Sequence, residues 1–172
     1  MKKYLYICFF IVIPLSVSAQ DVVAAFLDAH AKDDNLQVVS IGKKMMDTIC
    51  SLSADNPSLT EAIKGLETIR IVSSKNQDLN QNAEYFLSAQ TLLTNTKGLK
   101  ALFSMSEKEK ELMVMVKELK GSIKELLLLS EQPDGFNLIS LSGTIHLDDL
   151  QKYSEGLNIK ELNELNSVRC NQ

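Results

Sequence analysis

The sequence predicts an α+β domain: an antiparallel sheet built around a four-strand C-terminal meander, packed with helices from the N-terminal half and closed by C-terminal helices. Three observations point there. From Lys100 to Ser142 the chain runs ALFSM, LMVMV, IKELLLL and FNLISLS, apolar stretches of strand length separated by SEKEKE, LKGS and SEQPDG, the spacing of consecutive strands joined by tight turns. Before Lys100 and after Gly143, apolar residues recur mostly at helical spacing. The inner strands of the meander are also apolar on both faces. Leu112, Val114 and Val116 point one way and Met113 and Met115 the other, and Leu126 to Leu129 are four consecutive leucines. A strand with one wet face alternates apolar with polar, so both sides of this sheet need a cover.

The chain opens with MKKYLYICFFIVIPLSVSAQ. Two lysines, an apolar run from Tyr4 to Leu15 interrupted only at Pro14, and small residues up to Ala19 have the layout of a secretory signal peptide, the run being short for a bilayer span. Residues 1–19 are therefore expected to be removed, leaving 20–172 as a single α+β domain with a helical C-terminal tail and no transmembrane segment. Cys8 lies inside the apolar run after the bulky Ile7, where a lipid-attachment site wants a small residue, which argues against lipidation. Loss of Lys2 and Lys3 leaves 16 basic against 22 acidic residues, a net charge of −6. Phosphate binding needs a basic face, and Lys and Arg nowhere cluster with interleaved aromatics, so nucleic acid is not an expected partner.

The elements follow in order. Val22, Val23, Phe26, Leu27 and His30 mark an amphipathic helix over 21–33, and LQVVSI, Leu36 to Ile41, is a short strand rich in β-branched residues. Met45, Met46, Ile49 and Leu52 give a second helix. Ser58 and Glu61 have the spacing of a capping box before Leu59, Ala62, Ile63 and Leu66. TIRIV, Thr68 to Val72, alternates as a strand does, and Leu79, Ala83, Phe86, Leu87, Gln90 and Leu93 outline a longer helix. In the meander, QPDG sets Pro133 and Asp134 at the centre of a turn with Gly135 where φ is positive. Charges from Glu107 to Glu111 suit a solvated hairpin tip. Gly143 is expected to end the last strand. Leu147, Leu150 and Tyr153, then Ile159, Leu162 and Leu165 behind an Asn158/Glu161 cap, form the closing helices. The earlier helices are expected on one face of the sheet, with the C-terminal helices or a partner protein on the other.

The run ELMVMVKELKGSIKELLLLSEQPDGFNLISLSGTIHLDDLQKYS, Glu111 to Ser154, resembles the C-terminal core of the domain-of-unknown-function 4252 family, as do the earlier segments VVSIGKKMM and IRIVSS. The most specific part is ELLLL, a short turn, then FxLISLxGxIxLDDL. The resemblance implies a compact envelope domain of uncharacterised activity, exported and found mostly in Bacteroidetes, and it carries no catalytic residues with it. Many members look like lipoproteins, and this chain lacks their cysteine.

The residues themselves offer little chemistry. His146, Asp148 and Asp149 are the densest polar cluster, yet a metal site needs further ligands and the chain has two histidines. Carboxylates in the first turn of a helix also complement its exposed N–H groups. His30, near Asp33 and Asp34, suits a helix C-terminus. No serine sits in a GxSxG turn, neither Cys50 nor Cys170 has a catalytic flanking pattern, and no glycine-rich phosphate loop occurs. An exported protein can pair Cys50 with Cys170, and their spacing alone leaves that open; the plainer reading is Cys50 as a buried thiol and Cys170 as part of the tail. No cofactor, metal or enzymatic activity is expected. Met45, Met46, Met113 and Met115 read as core at their helical and strand spacings. Met113, Met115, Leu127 and Leu129 are the candidate apolar surface. The first reading is an exported, periplasmic or secreted module that binds another envelope protein or itself. The second is a carrier or sensor of an apolar ligand held between sheet and helices. An envelope enzyme is the third.

Overall fold

A computed structural model of the chain describes residues 21–52, 57–74, 78–108 and 110–157. Its elements are α1 (Val22–Ala29), β1 (Leu36–Gly42), α2 (Lys43–Leu52), α3 (Pro57–Ile63), β2 (Leu66–Ser74), α4 (Leu79–Asn95), β3 (Leu99–Glu107), β4 (Lys110–Leu119), β5 (Ser122–Gln132), β6 (Gly135–Ile145), a 3-10 turn at Leu147–Asp149, and α5 (Leu150–Leu157). The strands form one six-stranded sheet in the order β1-β2-β6-β5-β4-β3, with every neighbouring pair antiparallel. The expected signal segment, Cys170, and the second closing helix with Ile159, Leu162 and Leu165 lie outside the described residues.

Turn chemistry sets the meander. Lys120 (φ 52°) and Gly121 (φ 78°) are both left-handed between the paired Leu119 and Ser122, a two-residue turn whose twist matches that of its strands. Pro133 and Asp134 join Gln132 to Gly135, whose φ of 147° only glycine adopts without strain. Β-strand β6 does not end at Gly143 as expected but runs on to Ile145. The glycine is there for a close approach: a Cβ on it would lie 2.3 Å from the Gly65 carbonyl oxygen and 2.8 Å from Leu66 Cα. Helix α3 begins at Pro57, which suits a first helical position, so Ser58 is inside the helix and not its cap. Gly65 (φ 91°) then turns the chain, and Leu66 opens β2 instead of closing the helix.

Two apolar layers answer the two-faced strands. On one face α1 and α4 bring Val22, Val23, Phe26, Tyr85, Phe86, Ala89 and Leu93 onto Met115, Leu127, Leu129, Phe136 and Leu138. On the other, Met46 of α2, Ile63 of α3 and Leu150 and Tyr153 of α5 close over Leu112, Val114, Val116, Leu126, Leu128, Ile139 and Leu141. The earlier helices thus divide between the faces, where one face was expected for all of them. Topology supplies the reason. Helix α4 must carry the chain from β2 to the far edge at β3, so it crosses β6 and β5 on one side, while α2 and α3 link neighbouring strands and join α5 on the other.

Candidate functional site

The sheet has two edges, β1 and β3. An edge strand exposes unpaired backbone N–H and C=O groups, and proteins usually blunt it with charge, proline or a bulge. Strand β3 is blunted: its pairing shifts register between Ala101 and Phe103, Lys100 reaches Glu118 at 2.7 Å, and the strand ends on Glu107. Strand β1 carries none of these devices. Its residues, LQVVSIG, are uncharged and pair with β2 without a register shift. Val38 is 46% and Val39 40% exposed, on opposite faces because side chains alternate along a strand. Directly after it, Met45 and Leu52 of α2 are exposed, and a recess of about 520 Å³ is lined by Gly42, Lys43, Lys44, Met45 and Thr48. This edge and the apolar side chains beside it can receive an added strand through backbone hydrogen bonds, with side-chain contacts giving selectivity.

The four apolar candidates from the sequence lie within the molecule. Leu127 and Leu129 are fully buried, Met115 nearly so, and Met113 packs half-buried at the margin of the same layer under α1 and α4. Met115, Leu127 and Leu129 fill the space between sheet and helices and offer no surface, while Met113 is partly exposed at its margin. Exposed apolar residues stand instead on β1 (Val38, Val39) and α2 (Met45, Leu52), with others on α4 (Leu79, Leu87), β3 (Leu102) and β4 (Leu119); the strand pattern of LQVVSI was legible but its place at the edge was not.

The polar candidates are structural in their contacts. His146 precedes the 3-10 turn that holds Asp148 and Asp149, and Asp149 pairs with Lys152 at 2.8 Å. His30 ends α1 with its backbone N–H on the Phe26 and Leu27 carbonyls, and its Nε2 lies 3.1 Å from Ser88 Oγ. Asp33 accepts a hydrogen bond from Tyr85 Oη and, at 3.0 Å, from the Asn35 N–H. The Tyr85 bond is the main cause that holds the Asp33 carboxyl below its usual pKa, while burial and that same carboxylate raise the Tyr85 phenol. This network fixes the turn between α1 and β1. Cys50 is a free, half-buried thiol. Among the described residues, no group of three or more His, Cys, Asp or Glu could hold a metal ion.

Two charged arrangements were not foreseen. Arg70 of β2 reaches Asp21, the N-cap of α1, at 2.6 Å, beside a recess of about 430 Å³ lined also by Lys117, Lys124, Glu118, Glu125 and Ser142. Burial opposes ionisation of Asp21, but the Arg70 bond and the Ala24 N–H outweigh it and hold the carboxyl low. At the other end of that face, Glu111 and Glu131 stand directly opposite each other on β4 and β5. Burial first, then the Glu111 charge, raises the Glu131 pKa. The Arg70–Asp21 pair depends on how α1 packs over β2, for which the sequence gives no direct signal, and the Glu111–Glu131 pair depends on the exact register of the β4–β5 hairpin, which shifts between Lys117 and Glu118.

Fold and edge together place the chain among α+β domains with a helix-covered antiparallel sheet. A family model described as domain of unknown function DUF4252 matches residues 30–153, and the chain belongs to that family. The match takes in all six strands and the intervening helices and stops inside α5. No curated protein and no solved structure matches the chain. No helix among the described residues is long and apolar enough to cross a membrane.

Proposed function

We propose that the protein is an exported, non-catalytic interaction module of the cell envelope that engages its partner through strand β1. One observation carries the reading: β1 is an uncharged, unbulged edge with both of its central valines exposed, whereas β3 at the other edge is guarded. An unprotected edge is an aggregation hazard unless something pairs with it. Export is supported by the basic start, short apolar run and small residues ending at Ala19. The test uses envelope extracts. The protein should be recovered there with Gln20 as its first residue and should migrate above monomer size, and Val39→Lys should return it to monomer size without changing its circular dichroism. Wild-type protein migrating as a monomer in the extract refutes the interaction reading, and recovery of Met1 in a membrane-embedded chain refutes export.

A further inference from the structure

We propose that the occupant of the β1 edge is a second copy of this chain, laid antiparallel across a two-fold axis at Val39. The inference rests on the reading of β1 as the interacting edge and goes on to name its partner. The argument is charge placement along DDNLQVVSIGKK. Asp33 and Asp34 precede the strand, Lys43 and Lys44 follow it, and the seven residues between are uncharged. A second copy running antiparallel brings the acidic end of each strand beside the basic end of the other. A parallel copy would set acid beside acid and base beside base.

Symmetry narrows the register. Two antiparallel strands related by a two-fold axis keep their side chains on the same faces, so the axis must pass through a residue that opposes its own mate. With Val39 on the axis all seven residues of β1 overlap, Val38 faces Ser40, Gln37 faces Ile41, and just past the last pairs Asp34 comes opposite Lys44. Moving the axis to Val38 sets Lys32 against Lys44. Moving it to Ser40 shortens the overlap and places Lys44 beyond the partner's acids. Lys43 is already held by Asp47 at 2.8 Å, while Lys44 makes no ion pair within the described residues. The two sheets would join into one of twelve strands, covering Val38 on one face and Val39 on the other, with the helical layers of both copies on matching sides.

Sedimentation equilibrium of the purified protein should show a dimer that dissociates on dilution. Lys44→Glu and Asp34→Lys should each weaken it by roughly threefold to tenfold, since symmetry removes two exposed ion pairs at once, and an equimolar mixture of the two variants should recover part of the loss as a heterodimer. In a background without other cysteines, Val39→Cys should oxidise to a disulfide-linked dimer and Val38→Cys should not. A monomer at every concentration overturns the second copy as partner. A soluble peptide of alternating Val and Thr, added to such a monomer, then separates the two claims. Slowed amide exchange in β1 keeps the edge reading without the self-pairing, and unchanged exchange removes both. A dimer that Lys44→Glu leaves intact and Val39→Cys does not cross-link also overturns the proposal.

Discussion

Leu127→Ala and Leu128→Ala test whether both faces of β5 are covered by the chain's own helices. Leu127 lies between Met115 and Ser140 in the layer under α1 and α4, and Leu128 lies between Val114 and Ile139 in the layer under α2, α3 and α5. Both are 0% exposed. Each truncation removes three carbons, roughly 2.4 kcal/mol at about 0.8 per buried methylene, and leaves a cavity that brings the expected loss to about 2–5 kcal/mol. Leu87→Ala on α4, where the side chain is 60% exposed, should change stability by less than about 0.5 kcal/mol. Urea midpoints at a protein concentration low enough to exclude association provide the measurement. A total stability of about 5–15 kcal/mol for an ordinary domain leaves the Leu127→Ala/Leu128→Ala double variant close to unfolding. A costly Leu127→Ala beside a silent Leu128→Ala would mean that α2, α3 and α5 do not close their face, and the two-layer description would fail.

The remaining predictions concern charge and close approach. Glu131 has a raised pKa when folded, so its ionisation opposes folding as pH rises from the ordinary glutamate range through the raised value. Glu131→Gln should therefore be more stable than wild type at pH 7, with the gap closing on acidification through that window; an unchanged or lower urea midpoint at pH 7 contradicts this. Asp21 has the opposite sign: its lowered pKa contributes stability present above the ordinary aspartate value and lost as pH falls through the folded one. Asp21→Asn keeps the helix cap and loses the charge pair with Arg70, so it should cost about 0.5–1 kcal/mol at pH 7, whereas Asp21→Ala should cost about 1 more by losing the cap. Equal losses in the two variants would show that the cap contributes nothing. Gly143→Ala should destabilise by more than about 2 kcal/mol, since its Cβ would meet backbone that has no rotamer to change. Thermal melting within a degree of wild type would show that β2 and β6 separate there at little cost.

Strand existence was readable because β-branched and leucine-rich runs between turn residues have few other solutions, and the four strands of the meander stand where ALFSM, LMVMV, IKELLLL and FNLISLS place them. The double cover was readable from Leu126 to Leu129 for the same reason that it exists: consecutive buried residues in a strand face opposite ways. Sequence could not say which helices go to which face, because that follows from β6 pairing with β2 far back in the chain. The same long-range pairing leaves β1 at the edge. LQVVSI reads as a strand in either position, because β-branched residues suit a central and an edge strand alike. Gly143 misled because a glycine after an apolar run looks like an end, while here it lets the Gly65–Glu67 backbone pass against a continuing strand.

Amide hydrogen exchange along β1, followed as protein concentration rises, tests the central claim most directly. If β1 is the interacting edge and its partner is a second copy, outward-facing amides between Leu36 and Gly42 should slow progressively with concentration, while those of β3, between Leu99 and Glu107, keep a constant rate. Slowing confined to β3 or to the helices, with β1 unchanged at every concentration, would contradict the account.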